Sequence, residues 1–193
     1  MKAKISHIAF FLLISLVSLS SCKKHTIVES MPEPVSDYQI WSVVLDSLGI
    51  GSSTTILAIG DTTFSLVPYS DQSDSLFRLY VQTNIPSIDI GVLDDFLSKN
   101  KLSRKIDPLL SLRNSYVLLS KHKVQTDFTW YTTNYPNAGH FITISRPGYN
   151  SDFSQALVSI DFFWPMAGHG EYCYLTRTAN GWVIQKTLGS WVS

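Results

Sequence analysis

The sequence predicts an α+β domain, with N-terminal helices packed on a mainly antiparallel, C-terminal meander sheet. Three observations predict it. Apolar residues at helical spacing occur before Asn100. Strands with period-two alternation follow one another from Tyr116 to the end. Aromatic residues make up 12% of the chain, a richness that suits pleated, half-buried surfaces.

The helical half begins at Ser36 or Asp37, either a good N-cap for the segment that follows. Tyr38, Trp41, Val44, Leu45 and Leu48 share a face, and Gly49 stops the run. Thr54 to Ile59 is β-branched and apolar, hence a strand. Gly60-Asp61 is a turn, and Thr62 to Val67 is its expected return strand. Ser75 to Thr83 fits either state. Asp89 to Asn100 is a second helix, with Val92, Leu93, Phe96 and Leu97 on one side.

The sheet half begins with Tyr116 to Ser120. His140 to Arg146 alternates, with Ile142 and Ile144 on one side. Gln155 to Trp164 places Ala156, Val158, Ile160, Phe162 and Trp164 on one face, and Gln155, Ser159 and Asp161 on the other. Glu171 to Arg177, Asn180-Gly181 and Trp182 to Leu188 form the strongest hairpin signal. The expected arrangement therefore sets the helices on one face of the sheet.

Of the 193 residues, 45% are hydrophobic and 16% charged, which excludes wholesale disorder. Setting aside Lys2, Lys4, Lys23 and Lys24 leaves 11 basic residues against 15 acidic ones. A net charge near −4 argues against nucleic acid as a partner, because phosphate binding needs a basic surface.

The first segment has two lysines, an apolar run from Ile5 to Val17, and then Leu19-Ser20-Ser21-Cys22. Basic residues before a short apolar run read as an export signal. The run is too short and too broken by serine for a membrane span. Its end resembles the lipobox of bacterial lipoproteins. The resemblance implies a diacylglycerol on the Cys22 thiol, cleavage before that residue, and acylation of the new N-terminus. Acyl chains contribute about 0.8 kcal/mol per buried CH₂, so several of them hold a protein firmly to a membrane. Lys23 stands where an aspartate would favour inner-membrane retention, and Lys23-Lys24-His25 is not acidic. By resemblance to the sorting rules of Gram-negative lipoproteins, the expected place is the outer membrane, facing the periplasm. The organisation read from the chain is a signal peptide over 1–21, a lipidated tether over 22–35 carrying Pro32 and Pro34, and one domain over 36–193.

From Ser145 the chain carries Ser145-Arg146-Pro147-Gly148-Tyr149-Asn150, Gln155-Ala156-Leu157-Val158, Gly168-His169-Gly170-Glu171-Tyr172, Asn180-Gly181-Trp182 and Trp191-Val192-Ser193. These segments resemble the C-terminal pattern of a group of small bacterial exported lipoproteins. Pro147 stands where the pattern has an aliphatic residue. The resemblance marks a fold and implies no activity.

Nucleophile elbows, zinc-binding helices, paired Cys-x-x-Cys motifs and phosphate loops are absent, so no catalytic residue, cofactor or metal is expected. With Cys22 lipidated, Cys173 stands alone in a hydrophobic strand as a small buried side chain. Three residues are candidates for ligand binding. His169 lies between two glycines that let the backbone turn and approach a partner closely. Arg146 ends an alternating strand, where its guanidinium could clamp a carboxylate or phosphate. The structural alternative for Arg146 is an ion pair with Asp152 or Asp161. Tyr149 follows in the same motif. The favoured reading is a non-catalytic domain that binds a small molecule or an envelope protein. The alternative is a periplasmic hydrolase with His169 as acid–base and Arg146 as anion clamp.

Overall fold

Among the described residues seven strands form one sheet, in the order Tyr116–Leu119, Leu57–Gly60, Phe141–Ile144, Gln155–Trp164, Ala167–Thr178, Gly181–Val192, with Gly148–Tyr149 pairing Gln155–Trp164 where Phe141–Ile144 has ended. The computed structural model describes residues 36–47, 56–65 and 74–193. The elements are α1 (Asp37–Ser47), β1 (Leu57–Gly60), α2 (Asp74–Asn84), α3 (Ile90–Lys99), β2 (Tyr116–Leu119), α4 (Lys121–Thr126), α5 (Phe128–Asn134), β3 (Phe141–Ile144), β4 (Gly148–Tyr149), β5 (Gln155–Trp164), β6 (Ala167–Thr178) and β7 (Gly181–Val192). The signal, Cys22, the tether, Leu48, Gly49 and the outer ends of the first two strand expectations lie outside the described residues.

The α+β arrangement is as the sequence implies, and β3, β5, β6 and β7 run antiparallel in a meander. Two features differ. Thr62 onward is no hairpin partner for β1: Thr62 makes an isolated bridge with Lys105, and β1 lies parallel between β2 and β3. The cause is local. Asp61 N–H bonds to the Leu119 carbonyl and its own carbonyl accepts from Ile106, so the chain continues past Gly60 instead of folding back.

The second difference is that helices cover both faces. On one face α1 buries Ile40, Trp41, Val44 and Leu45 against Leu57, Ile59, Ile142, Ile144 and the Ala156–Val158–Ile160–Phe162 side of β5. On the other, α2 and α3 cover Leu157, Tyr174 and Leu188, while α4 and α5 cover Ala58, Leu119, Phe141 and Phe163. The second face of β5 is thus apolar at both ends, at Leu157 and Phe163, and polar between them, at Ser159 and Asp161. Apolar ends call for cover, and the two helix pairs supply it.

Local chemistry sets the joints. Ser36 accepts from the Tyr38 N–H at the start of α1. Asp89 caps α3 by accepting from Gly91, and the buried Asn100 closes that helix. Asn100 also accepts from Arg146 N–H and donates to the Arg146 carbonyl, both at 2.8 Å, which ties α3 to the β3–β4 link. Gly148 packs directly on the Phe96 backbone, where a Cβ would collide. The last hairpin turns through Ala179 and Asn180, and Gly181 follows at φ +111°. Cys173 is buried and free, its thiol pushed up to about 12 by burial. No described helix is long and apolar enough to cross a membrane.

Candidate functional site

Arg146 leaves the end of β3 and meets α1. Its Nε donates to Asp37 Oδ2 at 3.2 Å, so its partner is the first acid of α1, not Asp152 or Asp161. Arg104 approaches the same oxygen at 3.9 Å. An acid in the first helical turn also suits the α1 dipole. Tyr149, three residues after Arg146, is buried beside this pair. Burial, then the carboxylates of Asp37 and Asp95, push its phenol far above the ordinary value. Its hydroxyl has no hydrogen-bond partner among the described residues. Lys99 Nζ sits 4.6 Å from the centre of its ring. Arg146 and Tyr149 therefore converge on Asp37.

Tyr149 packs in turn against Trp182, ring centres 6.1 Å apart. Trp182 forms part of a groove between α1 and the β6–β7 hairpin. Tyr38, Gln39, Ser42 and Val43 form one wall, Leu109 and Ser111 close it, and Arg177 stands on the hairpin opposite. It is a shallow groove of about 530 Å³, largely open to solvent. Trp182 is 9% exposed, and its indole N–H has no partner among the described residues.

His169 lies elsewhere. Its ring stacks on Phe162 with centres 4.6 Å apart, and Trp164 meets it edge-on at 5.5 Å. Its Nε2 is 3.6 Å from Glu171 Oε1. Phe162 belongs to the α1 face, so His169 sits on that face too, at the far end of β5 from Tyr149. Arg146 and His169 share no hydrogen-bond or ion-pair partner among the described residues.

A further group escaped the sequence reading as a site. Thr143, Asp161, Gly170 and Trp191 stand opposite one another on β3, β5, β6 and β7, forming a row across the sheet. The row lies on the second face, between the two helix pairs. Trp191 Nε1 donates to Asp161 Oδ1 at 2.9 Å. Burial raises the Asp161 carboxyl to about 6, against the lowering influence of that bond and of the Lys121 and His169 charges. Lys121, at the start of α4, is lowered by its own burial. The hydroxyls of Thr143 and Ser190 are buried without partners among the described residues.

Against known proteins, this chain matches no protein-family model, no curated protein and no solved structure. The site therefore rests on its own geometry.

Among the described residues no three His, Cys, Asp or Glu side chains gather where they could hold a metal ion. In the sequence Asp161 was legible only as one of the polar residues on β5 and as an alternative ion-pair partner for Arg146. The α4 helix that brings Lys121 to it is six residues long, too short for periodicity to reveal. Its one sequence signal was the capping serine, Ser120.

Proposed function

We propose that this chain is a lipid-anchored outer-membrane protein, held through Cys22 and facing the periplasm, whose domain binds a small ligand in the groove between α1 and the β6–β7 hairpin without converting it. The groove's composition carries this reading. Tyr38, Val43, Leu109 and Trp182 offer an apolar and aromatic surface, Gln39, Ser42 and Ser111 offer hydrogen bonds, and Arg177 offers one exposed cation. That combination suits a ring-shaped ligand with an anionic group, and an acidic glycan fragment is the envelope material of that class. Arg146 and Tyr149 support the groove from behind, as the anchor of α1 and the rest for Trp182, and do not touch a ligand themselves. The engagement of Arg146 with Asp37 also weighs against its use as a clamp in a hydrolytic site.

Two measurements test the reading. Radiolabelled palmitate fed to cells should label the protein, and Cys22→Ser should abolish the label; labelling that survives the substitution refutes the anchor. A photoreactive residue at Gln39, on the groove wall, should crosslink to envelope glycan in cells, and competing acidic glycan should suppress the crosslink. Crosslinks unaffected by competitor would remove the groove from the account.

A further inference from the structure

We propose that the tip of the β5–β6 hairpin, Trp164-Pro165-Met166, inserts into the interface of the lipid bilayer that holds the anchor, and that this contact turns the groove away from the membrane. The inference rests on the lipid at Cys22 proposed above.

Met166 is fully exposed, and its backbone stands at φ +63°. An L side chain in that region strains the chain, and such outliers cluster at functional sites. Glycine would fit the turn without strain. What methionine adds is a long, flexible, apolar side chain in full contact with the surroundings. Pro165 is also exposed, Trp164 is half-buried, and no residue from Phe162 to Gly168 is charged. The tip and α5 border an open notch of about 370 Å³, lined by Phe128, Thr129, Thr132, Trp164, Pro165 and Met166, again without a charge. Val192, opposite His169 on β7, is exposed at the same end of the sheet. An indole at the base of the tip and an apolar side chain at its end match the wet and oily sides of a membrane interface.

Size selects lipid over protein as the partner. A stable protein interface covers about 800 Å² on each side. Pro165, Met166 and the rim of the notch offer only a few side chains. A bilayer needs no matching surface, and a protein already tethered to it meets it at high effective concentration.

The tether is long enough to allow the contact. Residues 22–35 reach at most roughly 45–50 Å. They join the domain beside Asp37, whose partner Arg146 lies toward the groove end of the sheet. β6 runs from the tip to the groove over Ala167–Thr178, roughly 40 Å at the rise of a strand. Arg177 and Trp182 pair at its far end. With the tip in the bilayer, the groove therefore faces away from it.

The test uses the full mature lipoprotein in vesicles of phosphatidylethanolamine and phosphatidylglycerol. A polarity-sensitive dye is attached to Thr132→Cys, in the notch, or to Leu102→Cys, exposed near the Asn100 that bonds to Arg146. Cys173 is buried, and the proposed lipid blocks Cys22. In the notch, the dye's emission should shift to the blue and be quenched by spin-labelled lipid. On Leu102→Cys neither should occur. Adding Met166→Asp to the notch protein should lower the inserted fraction about tenfold, the factor for losing one buried apolar side chain. Met166→Leu should retain insertion. Aspartate tolerates positive φ better than methionine does, so the fold survives the change. A notch dye that stays in water, or insertion unaltered by Met166→Asp, overturns the proposal while the anchor stands. Dye found on Cys22 itself shows that the anchor is absent, and the proposal falls with it.

Discussion

The indole N–H of Trp191, two residues from the C-terminus, holds Oδ1 of Asp161 at 2.9 Å across the width of β6. The bond joins an edge strand to a carboxyl whose charged form burial disfavours. That burial makes the sheet's stability depend on pH.

A carboxyl held at about 6 in the fold, against 3.8 ordinarily, binds its proton more tightly when folded. The folded state therefore gains stability from protonation below about pH 4 and loses it as pH rises through 6. Two pH units correspond to about 3 kcal/mol, as an upper figure. Asp161→Asn should be the more stable protein at pH 8 by up to about that amount, with little difference at pH 4. Urea unfolding at both pH values checks this; a variant that is less stable at pH 8 refutes it.

Trp191→Phe removes the donor and keeps the ring. At pH 8 it leaves a charged oxygen unpaired and should cost about 1–3 kcal/mol. At pH 4.5, where the carboxyl is protonated, the cost should shrink. A loss independent of pH would mean that Trp191 acts through packing against Phe163 alone.

Gly148 is fixed by contact with the Phe96 backbone, not by its own dihedral angles. Gly148→Ala must push α3 off the sheet. Overpacking of this kind costs about 1–3 kcal/mol or more. Denaturation of the variant measures it, and a neutral result would mean that α3 sits looser than described.

At the other hairpin tip, Pro165 is followed by Met166 at φ +63°, fully exposed. A side chain in this region is strained, and a turn with proline then positive φ prefers glycine. Met166→Gly should raise stability by about 1 kcal/mol, read as a higher denaturation midpoint.

How far the sequence could lead follows from the length over which each signal acts. Periodicity over ten residues revealed α1, α3 and β5, because one face of each is uniformly apolar, and the Asn180-Gly181 turn marked the β6–β7 hairpin. It failed for α4 and α5, which are held by their caps Ser120 and Asp127 and by contact with the sheet. It also missed the second covered face, because β5 is apolar there only at Leu157 and Phe163. Among the site residues, Arg146 and Tyr149 could be singled out by motif, but Asp37, the partner of Arg146, lies more than a hundred residues earlier. Such pairing is decided by topology. The Asp161 row was hidden for the same reason, since its four members come from four strands.

Arg146 and Asp37 give that topology a direct energetic check. A double-mutant cycle with Arg146→Met and Asp37→Asn should return a coupling of about 1 kcal/mol, because both side chains are largely shielded. Zero coupling would detach α1 from the β3 end.

Ligand binding without turnover in the proposed α1–hairpin groove is read out by thermal unfolding with acidic glycan fragments. At a hundred times its Kd a ligand adds about 2.7 kcal/mol, a rise of about 5–10 °C in melting temperature for a domain of this size. Such a rise is expected with an acidic fragment, together with its loss in Arg177→Ala and recovery of the fragment unchanged. A rise that survives Arg177→Ala, the absence of any rise, or a cleaved fragment would contradict such binding.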